Sequence, residues 1–272
     1  MNTFYIITNS IKDPNHDVTQ MIMNLIEREG GHSILAVTQD KKHNIPKEVD
    51  GIITLGGDGT LIRAASELHA YNIPIIGINL GTLGYLTEIE KNGIEEGIVS
   101  LFNQNVLIEK RMMIQGELLG KQEVALNDIV LNRYGGLRTI QFTIYVNGEY
   151  LHEYKADGVI ISTPTGSTAY SLSAGGPIVE PTASMFIITP ICAHSLNSSS
   201  IVLSSEDVIE IILGAGRENT IEHASVSFDG ENDLKMKTGD KIRISKATKT
   251  TQLIKLSSVS FLETLRRKMA GN

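Results

Sequence analysis

Residues 56–60 read Gly56-Gly57-Asp58-Gly59-Thr60. They lie between an apolar run, GIITL, and a segment in which Leu61, Ile62, Ala65 and Leu68 recur at helical spacing. Glycines at a strand-to-helix junction let the backbone turn sharply and approach a ligand with no Cβ in the way, and the amides that open a helix favour an anion. The pattern describes a cradle for phosphate. Asp58 is the anomaly, because a carboxylate among phosphates repels them unless a cation intervenes or the carboxylate receives a proton. Phosphoryl transfer to a hydroxyl supplies both conditions. The plainer alternative is a glycine-rich turn in which Asp58 is only a favourable charge at a helix N-terminus. Other nucleotide patterns fit less well: no Gly-Lys-Ser/Thr tripeptide occurs, and Ile62 stands where a dinucleotide fingerprint starting at Gly57 needs glycine.

Two further loops have the same character. Gly77-Ile78-Asn79-Leu80-Gly81-Thr82-Leu83-Gly84-Tyr85 follows a strand-like run and would line one crevice with Asp58, since open parallel sheets bind ligands at the carboxyl ends of their strands. Alone it reads equally as a packed turn. Residues 157–179, DGVIISTPTGSTAYSLSAGGPIV, place Ser, Thr, Gly and Pro between two apolar segments. Small residues let a planar ligand lie against the backbone, hydroxyls offer hydrogen bonds, and Tyr170 offers a face for stacking. A Ser/Thr-rich hairpin with Tyr170 as a core aromatic is the competing reading. Ser173 is no nucleophile elbow, because Ser171 occupies the first glycine position of that motif.

The elements that must position these loops follow from periodicity. FYIIT, SILAV, GIITL and IPIIGI read as strands alternating with helices, one of them carrying Val18, Met21, Ile22, Leu25 and Ile26 up to Gly30-Gly31. Alternating β and α with apolar strands predicts a mainly parallel sheet covered on both faces. After about residue 105 the rhythm changes. Ile140, Phe142, Ile144 and Val146 alternate with polar residues before Asn147-Gly148, a strong hairpin signal. ALNDIVL, GVIIS, MFIIT, SIVLS, VIEIIL, ASVSF and KIRIS read as further short strands. Ser260 and Glu263 make a capping box before Phe261, Leu262, Leu265 and Met269, with a basic last turn. The expected architecture is an N-terminal α/β domain at 1–104, a β-rich domain at 105–256, and a last helix at 257–269 returning to the N-terminal domain.

Composition narrows the class. A 272-residue chain with 41% hydrophobic residues and net charge −7 is a folded protein without the basic footprint of a nucleic-acid binder. No apolar run reaches membrane-spanning length, and MNTFYIITNSIKD lacks the basic start of a signal peptide, so the expected location is the cytoplasm. The single cysteine, Cys192, excludes an intrachain disulfide. The seven histidines show no metal-ligand spacing, and Ala156 stands where His152-Glu153 would need a second histidine.

Taken in order, GGDGT, GINLGTLGYL, LNDIVL, DGVIISTPTGSTAYSLSAGGPIV, TPICAHSLN, FDG and the closing FLETLRRKM resemble the bacterial NAD kinase family. GGDGT alone also resembles lipid kinases, whereas TPTGSTAYSLSAGGP is the specific segment. The resemblance implies transfer of the ATP γ-phosphoryl group to the 2′-hydroxyl of the adenosine ribose of NAD, giving NADP. It implies Asp58 as the base and Gly56, Gly57, Gly59 and Thr60 at the ATP phosphates. For NAD it implies Asp58, Gly59, Leu83, Tyr85, Asn127, Asp128, Lys155, Asp157, Thr168, Ala169, Tyr170 and Ser173. A divalent cation, Mg²⁺, carried mainly by substrate phosphates with no protein-built metal site, and a homotetramer are implied with it. Two positions depart from the family's pattern. Asp128 stands where glutamate is more usual, and HSLNSSSIV lacks an Asn-Arg-Pro run. By residue type alone, Asn127-Asp128 is equally a strand-end turn, and Asp229-Gly230 reads as a hairpin turn. The rival functions are a lipid kinase, disfavoured by the acidic balance and the lack of a basic amphipathic helix, and a dinucleotide sensor without turnover.

Overall fold

The computed structural model describes residues 1–36, 44–81, 84–103, 106–135, 138–194, 199–256 and 259–270. Val37, Thr82, Leu83, residues 195–197 of the HSLN stretch and residues 257–258 lie outside the described residues. The chain divides into two compact units, residues 1–111 with 249–272, and residues 112–248.

The first unit begins with β1 (Thr3–Thr8), α1 (Asp17–Arg28), β2 (His32–Leu35) and β3 (Gly51–Gly56). It continues with α2 (Asp58–Leu68), β4 (Ile75–Asn79), β5 (Ile89–Glu90) and α3 (Ile94–Phe102). The strand order β2-β1-β3-β4-β5 is parallel throughout, as the alternating pattern requires. Phe4, Ile6, Ile53, Leu55, Ile76 and Ile78 of the strands pack with Ile22 and Ile26 of α1 and Ile94, Ile98 and Leu101 of α3. Burying each such side chain contributes roughly 1.5–3 kcal/mol. The first amides of α1 receive no side chain from the preceding residue, His16. The Asp13 carboxylate substitutes, accepting from the Val18 amide at 3.2 Å and from the Thr19 amide and hydroxyl at 2.9 and 2.6 Å.

The second unit is antiparallel. Its strands are β6 (Leu107–Leu118), β7 (Lys121–Ala125), β8 (Asp128–Arg133), β9 (Ile140–Val146), β10 (Glu149–Ala156) and β11 (Gly158–Ser162), the first residues of β6 belonging to the first unit. A short helix α4 (Tyr170–Ser173) precedes β12 (Met185–Ile191), β13 (Ile201–Ser204), β14 (Ile209–Leu213), β15 (His223–Phe228) and β16 (Glu231–Lys237). One sheet runs β13-β12-β11-β8-β15-β16. The other contains β10-β9-β14 and the start of β17 (Lys241–Lys255). Between the sheets lie Phe142, Ile144, Tyr154, Val159, Ile161, Phe186, Ile188, Val226 and Phe228, the inward half of each alternating strand. Asn147 and Gly148, at φ 53° and 83°, form the two-residue turn between β9 and β10.

The chain then re-enters the first unit, where Leu253 of β17 pairs in parallel with Ile75 of β4. The last helix, α5 (Phe261–Met269), is capped as the sequence predicts: Ser260 Oγ accepts from the Glu263 amide at 3.2 Å. It returns to the first unit, with Lys268 Nζ 5.0 Å from the centre of the Tyr85 ring. Its apolar stripe is not buried as a whole, since Leu262 and Met269 remain 70% and 76% exposed. No helix among the described residues is long and apolar enough to cross a membrane.

Candidate active site

In the first unit, β3 and β4 end side by side, Gly56 opposite Asn79, so both glycine loops start from one edge. The Leu80 amide donates to the Gly56 carbonyl at 3.0 Å, tying the second loop to the first. Gly57 precedes α2 in extended conformation and has no side chain to cap the first amides. Asp58 is the first residue of that helix, but its carboxylate does not cap it. Instead Oδ2 accepts from the Tyr85 amide at 2.6 Å, and Oδ1 from the amides of Leu86 and Thr87 at 3.1 and 3.2 Å. Three donors from another segment therefore fix the orientation of the carboxylate, and Oδ2 keeps a free lone pair. Gly84 makes this possible, because a Cβ there would overlap the Asp58 carboxylate. Burial first, and the Asp58 charge second, push the Tyr85 hydroxyl above its ordinary pKa. The Thr60 side chain turns inward, where its Oγ1 accepts from Asn9 Nδ2 at 3.4 Å.

In the second unit, residues 163–171 answer why so many hydroxyls follow a buried strand. Thr163 Oγ1 donates to the Leu126 carbonyl at 2.6 Å, and Ser167 Oγ donates to the Pro164 carbonyl at 2.7 Å and accepts from the Val179 amide at 3.0 Å. Ser171 Oγ lies 3.1 Å from Thr189 Oγ1. Ser167 closes the loop on itself, while Thr163 and Ser171 tie it to the segment before β8 and to β12. The close approach that Gly166 permits is also internal, since a Cβ there would collide with the Asn127 carbonyl. Of the residues assigned to NAD in this stretch, Thr168 and Ala169 are half-buried, and Tyr170 and Ser173 are exposed. Tyr170 is 43% exposed, so the reading as a core aromatic fails.

A cavity of about 440 Å³ is lined by Asn127, Asp128, Arg133, Ala169, Tyr170 and Asp229, among others. Asp229 and Gly230 form the turn expected of them, at φ 52° and 76°, but the carboxylate of Asp229 does more. It accepts from the amides of Leu126, Asn127 and Asp128 at 2.7, 2.7 and 3.2 Å. This repeats the arrangement of Asp58 over residues 85–87. Burial, and then the neighbouring Asp229 charge, push the Asp128 carboxyl up to about 7. Asp157 pairs with Arg133 at 3.2 Å, and Lys155 and Asp157 line a separate cavity of about 500 Å³ with Arg133, Arg138, His194 and Arg217. The clamp by Asp229 and the partner Arg133 are absent from the sequence reading. A lone arginine at a strand end carries no local signal, and a turn aspartate does not announce what its carboxylate will reach.

The same segments carry the family. Residues 8–106 match the ATP-NAD kinase N-terminal domain and residues 126–256 the ATP-NAD kinase C-terminal domain. The NAD kinase of Lachnospira eligens is 44% identical over 99% of this chain and all of its own length. That of Agathobacter rectalis is 45% identical over 100% and 99%. The chain belongs to the NAD kinase family. Among solved structures, an NAD kinase from Archaeoglobus fulgidus in complex with ATP superposes with a TM-score of 0.81 at 25% identity, covering 99% of each chain. Yeast NADH kinase complexed with NADH shares the fold at a TM-score of 0.82 and 24% identity, over all of this chain and 88% of that one.

Proposed function

We propose that the chain is an NAD kinase, making NADP from NAD and ATP. The family match over both domains and the relatives of the same name support the reaction. The observation that carries it is the Asp58 carboxylate, set on the glycine loop by the amides of Tyr85, Leu86 and Thr87.

In this reading Gly56, Gly57, Gly59 and Thr60 border the ATP phosphates, with the uncapped amides of α2 supplying donors. The ribose 2′-oxygen bonds to the γ-phosphorus as the bond from that phosphorus to the β–γ bridging oxygen breaks. ADP leaves, and the hydroxyl proton passes to Asp58 Oδ2. A carboxylate is a weak base, so it receives the proton late, and its orientation by three amides is its larger contribution. In the second unit, Asn127, Asp128, Lys155, Asp157, Thr168, Ala169, Tyr170 and Ser173 bind the dinucleotide, Tyr170 by stacking. Leu83 and Tyr85 add contacts from the second glycine loop.

Among the described residues no group of three His, Cys, Asp or Glu is placed to hold a metal ion, and the amides already engage both Asp58 oxygens. In this reading a Mg²⁺ would be carried on the phosphates of ATP, where it would neutralise the charge of the transferred group. A cytoplasmic homotetramer belongs to the same proposal.

The test is to incubate the purified chain with NAD, ATP and Mg²⁺ and to identify the product. NADP phosphorylated at the 2′-position is expected. Diacylglycerol phosphorylation in its place, or NAD binding without product, would refute the reading.

A further inference from the structure

The side chain of Lys12, in the loop after β1, has no part in the reading above, yet its head group lies against both glycine loops of the first unit. Its Nζ donates to the Gly56 carbonyl at 3.1 Å. A Cβ built on Gly57 or on Gly81 would lie 3.1 Å from the same nitrogen. The loop that carries it is anchored. Asn9 donates its amide to the Leu55 carbonyl at 2.9 Å, and its Oδ1 accepts from the amides of Ile11 and Lys12 at 3.0 and 3.3 Å.

Among the described residues the acidic neighbours of this cation are spent elsewhere. The adjacent Asp13 carboxylate is committed to Val18 and Thr19, and the Asp58 carboxylate turns to the amides of residues 85–87. Among the described residues no carboxylate forms an ion pair with Lys12. An ammonium has three N–H donors, and one of them is spent on the Gly56 carbonyl. The group also sits at the positive end of α2, where a lone cation is unfavourable and an added anion is favourable.

Resting on the NAD kinase reading, we propose that Lys12 binds a phosphate oxygen of a nucleotide substrate, with its remaining donors turned to the anion that the first amides of α2 attract. A phosphate can come from ATP or from the pyrophosphate of NAD, and the kinetics separate the two.

The experiment compares the parent with Lys12→Met, which keeps chain length and removes charge, and with Lys12→Arg, which keeps the charge. It measures KM for each substrate, binding of inorganic tripolyphosphate by calorimetry, and Tm. Loss of a charge-assisted hydrogen bond predicts that Lys12→Met raises one KM and weakens tripolyphosphate binding by roughly 10- to 100-fold. Tm should be unchanged, and Lys12→Arg should recover most of the loss. A rise confined to ATP assigns the phosphate to the donor, and one confined to NAD assigns it to the dinucleotide. Parent-like tripolyphosphate affinity in Lys12→Met would overturn the proposal even if the parent makes no NADP, a result that would separately reject the kinase reading. A fall in Tm with kcat reduced, KM unchanged and no recovery in Lys12→Arg would also overturn it, leaving a structural lysine.

Discussion

Asp128 is 5% exposed and faces the Asp229 carboxylate, and its own carboxyl is pushed up to about 7. In the unfolded chain the same group titrates near its ordinary 3.8. Below that pH both states carry the proton, and the buried carboxyl contributes its full stability. As pH rises through the window the unfolded state releases its proton while the native state retains it, so stability falls. Above about pH 7 both are ionised, and the whole cost of a buried charge is present. At 1.36 kcal/mol per pH unit, the cost reaches about 4 kcal/mol at pH 8, of which about 2.5 kcal/mol accrues between pH 5 and pH 8. Asp128→Asn removes the ionisation while keeping the shape. Urea denaturation of parent and variant at both pH values should show the variant gaining about 2.5 kcal/mol relative to the parent on going to pH 8. A difference independent of pH, or one that moves against the variant at high pH, would refute the buried-charge reasoning.

Gly84→Ala drives a Cβ into the Asp58 carboxylate, so kcat should fall at least about 100-fold while circular dichroism stays parent-like. Tyr170→Ala should weaken NAD binding by about 2- to 10-fold, the value of one aromatic stacking contact, with little change in Tm because the ring is already 43% exposed. Asp229→Ala frees the amides of residues 126–128 and removes the second cause of the Asp128 shift. It should cost about 1–3 kcal/mol in denaturation experiments and shrink the pH dependence predicted for Asp128.

The parts of the molecule legible in sequence are those set by local chemistry. The alternation around GIITL and IPIIGI, the Asn147-Gly148 turn and the Ser260–Glu263 capping box all appear where periodicity and turn chemistry put them. Helix α3 went unread because it is short, carries Gly97 inside and has no capping side chain. The β6–β7 hairpin turns at Leu119-Gly120, and a leucine at φ 51° is no recognisable turn signal. At the site, Asp58 and Tyr170 stand out by residue type, but the direction of a side chain is a tertiary property. Thr163, Ser167 and Ser171 have the composition of ligand contacts, yet their hydroxyls are spent inside the second unit, Ser167 on its own loop, Thr163 on the Leu126 carbonyl and Ser171 on Thr189 of β12. Asp58 and Asp229 find their amide partners 27 and 103 residues away in sequence, beyond any local pattern.

The most direct test of the central claim is single-turnover phosphorylation of NAD by Asp58→Asn. Asparagine preserves size but cannot accept the hydroxyl proton, so the account predicts parent-like affinities for NAD and ATP, with the rate of NADP formation reduced at least about 100-fold. A variant that binds both substrates and forms NADP at the parent rate would contradict it.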